Sequence, residues 1–135
     1  MISEQPKEKP PAGIPMVRTI AMPADANANG DIFGGWLMSQ MDLAAGNVAA
    51  RTSQGRCVTV SVDAMTFLRP VKIGDEVSVY CELLATGRTS MKISVEAWRR
   101  ARIGAEEYRV TKAMFTFVAI DAEGKPRLIS EPSFA

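Results

Sequence analysis

Apolar residues recur at helical spacing over one long stretch of this chain. Between Phe33 and Arg51, Met38, Met41, Ala45 and Val48 stand 3, 4 and 3 positions apart, which places them on one face of an α-helix. After Gly55 the period changes to two. Cys57 to Leu68 alternates Val58, Val60 and Val62 with Thr59, Ser61 and Asp63, and breaks at Pro70. Glu76 to Ala85 sets Val77, Val79, Cys81 and Leu83 on one face, Met91 to Ala97 does the same with Met91, Ile93, Val95 and Ala97, and Tyr108 to Ile120 is a last, mostly apolar strand. Gly74-Asp75 and Asp121-Ala122-Glu123-Gly124 mark turns. A short extended stretch, Met16 to Met22, precedes the helix and is stopped by Pro23, and the loop Ala24 to Asp31 is rich in turn formers and helix-capping residues.

A strand, one long helix and four further strands joined by short turns predict an α+β fold. Consecutive strands pair antiparallel, and the curved face of the sheet covers the single apolar helix. Residues 1–15, charged and carrying prolines at 6, 10, 11 and 15, predict a disordered tail with too little apolar surface to offset the entropy of ordering. Residues 129–135 form a second tail, which leaves residues 16–128 as one domain. A length of 135 residues fits one domain with its own core.

Composition mostly excludes. The 16 basic residues nearly cancel the 15 acidic ones, so no field gathers phosphates and nucleic acid is not an expected partner. No stretch has the apolar length of a membrane span or a signal-peptide core, so a cytoplasmic protein without a membrane partner is expected. Cys57 and Cys81 make neither a disulfide framework nor a CxxC pair and are expected to be reduced core thiols. The chain contains no histidine. That removes Ser-His-Asp and Cys-His nucleophile activation, the HExxH metalloprotease site and His-bearing zinc sites, and no metal is expected. Catalysis must then come from carboxylates, backbone amides, lysine or a bound cofactor.

Two features could carry such chemistry. Gly35, Ser39, Asp42, Gly46 and Ala49 are spaced 4, 3, 4 and 3 apart and share a second helix face, small except for one mid-helix carboxylate. Asp42 is either a solvated aspartate or a working group in a close-approach surface. Asn29-Gly30-Asp31-Ile32-Phe33-Gly34-Gly35 places two glycines in the first helical turn, where free N–H groups face an oxyanion unless the glycines serve only tight packing. Asp31 could equally be a cap. Gly35 and Asp42 are seven residues apart, about 10 Å along a helix, so one chain's carboxylate cannot act at its own helix N-terminus. If both serve one site, they come from two chains of a two-fold dimer with shared sites. Trp98-Arg99-Arg100-Ala101-Arg102 reads as a solvated edge guard, and Gly87-Arg88-Thr89-Ser90 as a strand-connecting turn or a phosphate contact.

Ala21-Met22-Pro23 and the run Asn27 to Asp42 closely resemble the YciA-like acyl-CoA thioesterases of the hotdog fold. Met65-Thr66-Phe67-Leu68-Arg69-Pro70-Val71 with Gly74-Asp75 is similar to the segment after the helix in the same family. The resemblance spans about residues 16–128. It implies a helix wrapped by an antiparallel sheet, homodimers that join sheets edge to edge, and assembly into hexamers. It also implies an acyl-CoA substrate, hydrolysed to fatty acid and CoA without a further cofactor. Asp42 matches the catalytic aspartate as general base or nucleophile, Gly35 the amide that polarises the thioester carbonyl, Asn29, Asp31 and Gly34 the pocket loop, and Arg88, Thr89 and Ser90 plausible CoA contacts. Asn47 and the short turn around Gly104 depart from the family and bear on acyl-chain selectivity. A hotdog hydratase resembles an Asp-His pair, which this chain lacks; a non-catalytic acyl-CoA-binding or sensing hotdog protein is the alternative.

Overall fold

A computed structural model describes residues 8–131 of the chain. Strands β1 (Val17–Ile20), β2 (Cys57–Asp63), β3 (Glu76–Thr86), β4 (Ser90–Arg100) and β5 (Glu107–Ala119) form one antiparallel sheet in the order β1-β3-β4-β5-β2. The sheet wraps helix α1 (Gly34–Ser53), which is the hotdog arrangement expected from the sequence. A 3₁₀ turn at Pro23–Asp25 leads from β1 into the loop before the helix.

The core lies between α1 and the concave side of the sheet. Leu37, Met41, Ala44, Ala45, Ala49 and Ser53 are its helical side, meeting Val77 and Val79 of β3, Met91, Ile93, Val95 and Ala97 of β4, and Phe115 and Phe117 of β5. Alanines at three of these helical positions bring the backbone close to a strongly curved sheet while fully burying their methyls. The alternation predicted for β4 is observed, whereas in β3 Val77 and Val79 are buried together with Ser78 and Tyr80, and Leu83 is exposed.

Three further details depart from expectation. Met38 is 39% exposed and outside the core, because the N-terminal half of α1 is covered on one side only. In β2 two of the three valines do not face the helix. Val58 and Val60 are exposed, whereas Cys57 and Val62 pack on the core, and a β-bulge between Thr59 and Ser61 shifts the register against β5. β2 also ends at Asp63, and it pairs β5 rather than its successor β3. The intervening segment crosses from one edge of the sheet toward the other past the N-terminus of α1, anchored by Leu68 N–H donating to the Val110 carbonyl (2.7 Å) and Ile32 N–H donating to that of Val71 (3.0 Å).

Gly74, with φ +91°, turns this crossing into β3 in a conformation that glycine adopts without steric cost. The next residue, Asp75, is buried at 3% exposure; its carboxylate accepts from Lys72 N–H (2.9 Å) and pairs with Arg99 (3.0 Å). The basic run is therefore no edge guard. Trp98 is buried on central strand β4, Arg99 neutralises Asp75, and Arg100 pairs with Glu76 at 3.3 Å.

Residues 8–15 carry no helix or strand, and Glu8 pairs with Arg109 of β5 (3.3 Å). Residues 1–7 and 132–135 of the two expected tails lie outside the described residues. Near the C-terminus, Arg127 is buried with its guanidinium donating to the carbonyls of Ile120, Ser53, Glu131 and Arg56 and to the Ser53 hydroxyl, at 2.9–3.2 Å. Two of these bonds go to the last residue of α1, so the cation closes the negative end of the helix dipole.

Candidate active site

The loop before α1 is held by one side chain that the sequence reading passed over. Asn27 Oδ1 accepts the backbone N–H groups of Asn29 (2.9 Å) and Asp31 (3.1 Å), and Asn27 N–H donates to the Asp31 carbonyl (2.7 Å). Asp31 does not cap the helix: its carboxylate pairs with Lys72 Nζ at 2.5 Å and ties the loop to the crossing segment. Asn29 is exposed at the tip of this turn. The N-cap position belongs to Phe33, whose side chain accepts no bond from the first turn, so that end of α1 carries no side-chain cap.

The two glycines of that turn differ. A Cβ on Gly34 would lie 3.3 Å from the Phe67 ring, so Gly34 serves close packing within the chain. A Cβ on Gly35 would meet nothing within 4 Å. Intrachain packing therefore explains Gly34 and leaves Gly35 unexplained.

About two helical turns further on, Asp42 is exposed and its Oδ1 accepts a hydrogen bond from Thr59 Oγ1 on β2 at 2.5 Å. A charge-assisted bond of that length fixes the carboxylate's orientation and leaves its second oxygen for another partner. The β2 bulge follows Thr59, which faces the helix opposite the exposed Val58 and Val60. Around the carboxylate is an open groove of about 300 Å³ walled by Met38, Ser39, Thr59, Val62 and Phe115. A second cavity, about 190 Å³, lies at the N-terminus of α1 between Gly34, Leu37 and the 67–71 segment.

The small-residue stripe is thus divided. Gly35, Ser39 and Asp42 are exposed, Gly46 approaches Phe117, and Ala49 is fully buried. Beside the exposed half lie Met38 and Leu43, at 39% and 65% exposure, and β2 offers Val58 and Val60, at 41% and 53%. β2 is an edge strand of the sheet, so a bare apolar helix face adjoins an unpaired strand edge.

Arg88, Thr89 and Ser90 are brought together at the β3–β4 turn, away from the helix N-terminus. The Thr89 carbonyl accepts from Ala119 N–H (2.8 Å) and that of Arg88 from Ile129 N–H (2.9 Å), while the Arg88 side chain is exposed. The two thiols are free. Burial pushes the Cys81 thiol up to about 12, and burial also raises Cys57, against the lowering effect of Arg127. Neither is an activated nucleophile. Among the described residues no three His, Cys, Asp or Glu side chains converge on a metal site.

Thr59 and Asn27 are the polar groups that the sequence did not single out. Asn27 carried a usable signal, since Asn two and four residues before backbone N–H groups at a Gly-containing loop is an Asx-turn pattern. Thr59 carried none, because its partner is 17 residues away and its facing depends on a bulge.

A model of the thioesterase superfamily matches residues 29–117. The chain is 50% identical over 123 residues to the acyl-CoA thioester hydrolase YciA of Escherichia coli, an alignment covering 88% of this chain and 92% of that protein. Its structure is similar to the hexameric thioesterase from Yersinia pestis, with TM-score 0.83, 54% identity, and coverage of 91% and 98%. It is also similar to an acyl-CoA hydrolase from Staphylococcus aureus in complex with butyryl coenzyme A and coenzyme A, with TM-score 0.77, 29% identity, and coverage of 88% and 71%.

Proposed function

The chain belongs to the YciA-like family of hotdog-fold acyl-CoA thioesterases, and from that premise we propose that its active site is shared between two copies, with Asp42 of one subunit acting toward Gly35 of the other. The protein is an acyl-CoA thioester hydrolase: water and acyl-CoA give a carboxylic acid and CoA. The observation that supports the shared site is the exposed face of α1. Gly35 and Asp42 lie on one helix face, about 10 Å apart along the axis, and the chain itself covers neither. Two antiparallel copies of that face, meeting near Met38 and Ser39, bring each carboxylate to the other copy's helix N-terminus.

In this site Asp42, oriented by Thr59, takes a proton from a water as the oxygen attacks the thioester carbon. The carbonyl oxygen gains negative charge and is received by the N–H of Gly35, at the uncapped and positive end of the partner helix. Collapse of the tetrahedral intermediate breaks the C–S bond. CoA leaves as a thiolate, an adequate leaving group without a strong general acid, and protonation completes CoA and the acid. Asn29, Asp31 and Gly34 shape the loop around the carbonyl, with Asn27 as their backbone anchor. Arg88, Thr89 and Ser90 contact the CoA moiety at the sheet's far end. Hexamer formation from such dimers is supported by the hexameric relative. The domain comprises residues 16–128. A cytoplasmic location is supported by the two free thiols, which suit a reducing compartment.

The test is thiol release from a panel of acyl-CoAs by the wild type and Asp42→Asn, with sizing of both. The wild type hydrolyses and the variant loses most of kcat while retaining CoA binding. An unimpaired variant sinks the assignment of Asp42, and a stable active monomer sinks the shared site.

A further inference from the structure

A bound acyl-CoA extends two arms from its thioester, a pantetheine arm with two amides and a wholly apolar acyl arm, and the proposed site has two cavities to receive them. Resting on that site, we propose that the cavity at the N-terminus of α1 is the acyl-chain chamber and that Phe67 is the wall that sets its length.

The walls favour a hydrocarbon. Ile32, Phe33, Leu37, Val71 and Val110 surround the cavity, and Pro70 has no N–H to offer. Its one charged residue is already engaged: Arg69 donates Nη1 to the Arg109 carbonyl at 2.6 Å, and its guanidinium stacks 5.3 Å from the Tyr108 ring centroid. Beyond the first turn of α1, the backbone around it is paired at Leu68 N–H to Val110, Ile32 N–H to Val71 and Phe33 N–H to Asp25. An amide placed there loses its hydrogen bonds to water and finds few replacements, whereas a methylene loses nothing. The groove at Asp42 is also walled by apolar side chains, Met38, Val62 and Phe115, but it carries the Asp42 carboxylate with the Ser39 and Thr59 hydroxyls beside it, so a hydrocarbon laid there strips water from a charge.

Phe67 bounds the chamber. Its ring edge rests against Gly34, where an added Cβ would come within 3.3 Å of it, so the absence of a side chain there lets the ring close over the helix N-terminus. Three residues upstream, Ala64 takes a left-handed conformation, φ +56°, which redirects the chain as it leaves β2 for this segment. The cavity of about 190 Å³ holds roughly six groups of about 30 Å³, the share of liquid volume of a water and close to that of a methylene. Each methylene that finds room raises kcat/KM about fourfold. The wild type should therefore climb from acetyl-CoA to about hexanoyl-CoA and then level off.

The experiment is kcat/KM for straight-chain acyl-CoAs in two-carbon steps with wild type, Phe67→Ala and Phe67→Trp, with product inhibition by free CoA measured for each. Melting curves and sizing establish that the variants are folded. The expected result is that the break moves to longer chains in Phe67→Ala and to shorter chains in Phe67→Trp, while the inhibition constant of CoA stays unchanged. A uniform loss at every chain length together with weaker inhibition by CoA makes this cavity the pantetheine channel and overturns the proposal. An unmoved break overturns it as well. Failure of the shared site reads differently: Asp42→Asn then retains activity while the chain-length series still responds to Phe67.

Discussion

Thr59→Val isolates the contact that orients the proposed general base. Valine keeps the β-branched shape that suits a strand and removes only the hydroxyl that donates to Asp42 Oδ1 at 2.5 Å. A hydrogen bond to a charged group contributes about 1.5–3 kcal/mol, and the lower end applies here because both partners are solvent-exposed on the single chain. About 1.5 kcal/mol, at 1.36 kcal/mol per decade, corresponds to a roughly tenfold loss in kcat. Loss of the base itself in Asp42→Asn removes roughly 10²–10⁴. The two effects cannot multiply if the hydroxyl works only through the carboxylate, so the double variant should be no slower than Asp42→Asn. Thr59→Ser should regain most of the lost rate, because it restores the hydroxyl that donates to Asp42. Steady-state thiol release by the wild type and the four variants decides the matter. Full kcat in Thr59→Val, or losses that multiply in the double variant, would refute the positioning role.

Gly35→Ala should stabilise the fold by up to about 1 kcal/mol, because a helical glycine is replaced where nothing stands within 4 Å, yet lower kcat if carbonyl oxygen and partner chain approach that turn; calorimetry and rates read the opposed signs. Arg127→Met strands four carbonyls and the Ser53 hydroxyl, and should cost roughly 3 kcal/mol, about 10 °C in Tm at fixed protein concentration. Cys81 should react with a disulfide reagent far more slowly in the native protein than after unfolding. Its folded value of about 12 stands above the unfolded 9.0, so its contribution to stability is complete below pH 9 and is lost as pH rises from 9 toward 12. Urea titrations across that range measure the loss, with Cys81→Ala as the reference that lacks it.

The elements of the fold were legible where local pattern and burial agree. Met91, Ile93, Val95 and Ala97 alternate in the sequence and are all fully buried, because β4 is central and only its concave face meets the helix. The same rule misassigned β2. Val58 and Val60 have the higher strand propensity and the larger apolar surface, yet they face outward, since an inserted residue changes which set of side chains meets α1. The pairing of β2 with β5 was equally hidden. A strand followed by a proline-broken segment and another strand reads as a hairpin unless the path of that segment is known, and its path is set by contacts at Val71 and Val110, far from either strand's own sequence.

Those outward-facing valines bear on the site. With the bulge in place Thr59 faces Asp42 while Val58 and Val60 put apolar surface on the edge strand. The bare face of α1 repeats the pattern: Met38 and Leu43 are exposed beside Gly35 and Asp42, separated along the helix by about 10 Å that no side-chain movement within one chain can close. Burying Met38, Leu43, Val58 and Val60 against a second copy would complete the proposed site in the same step. On this account the hydrophobic effect that assembles the dimer also places the base, because in a chain without histidine the carboxylate and the polarising amide must converge on one carbonyl, and one helix can supply both only by being present twice.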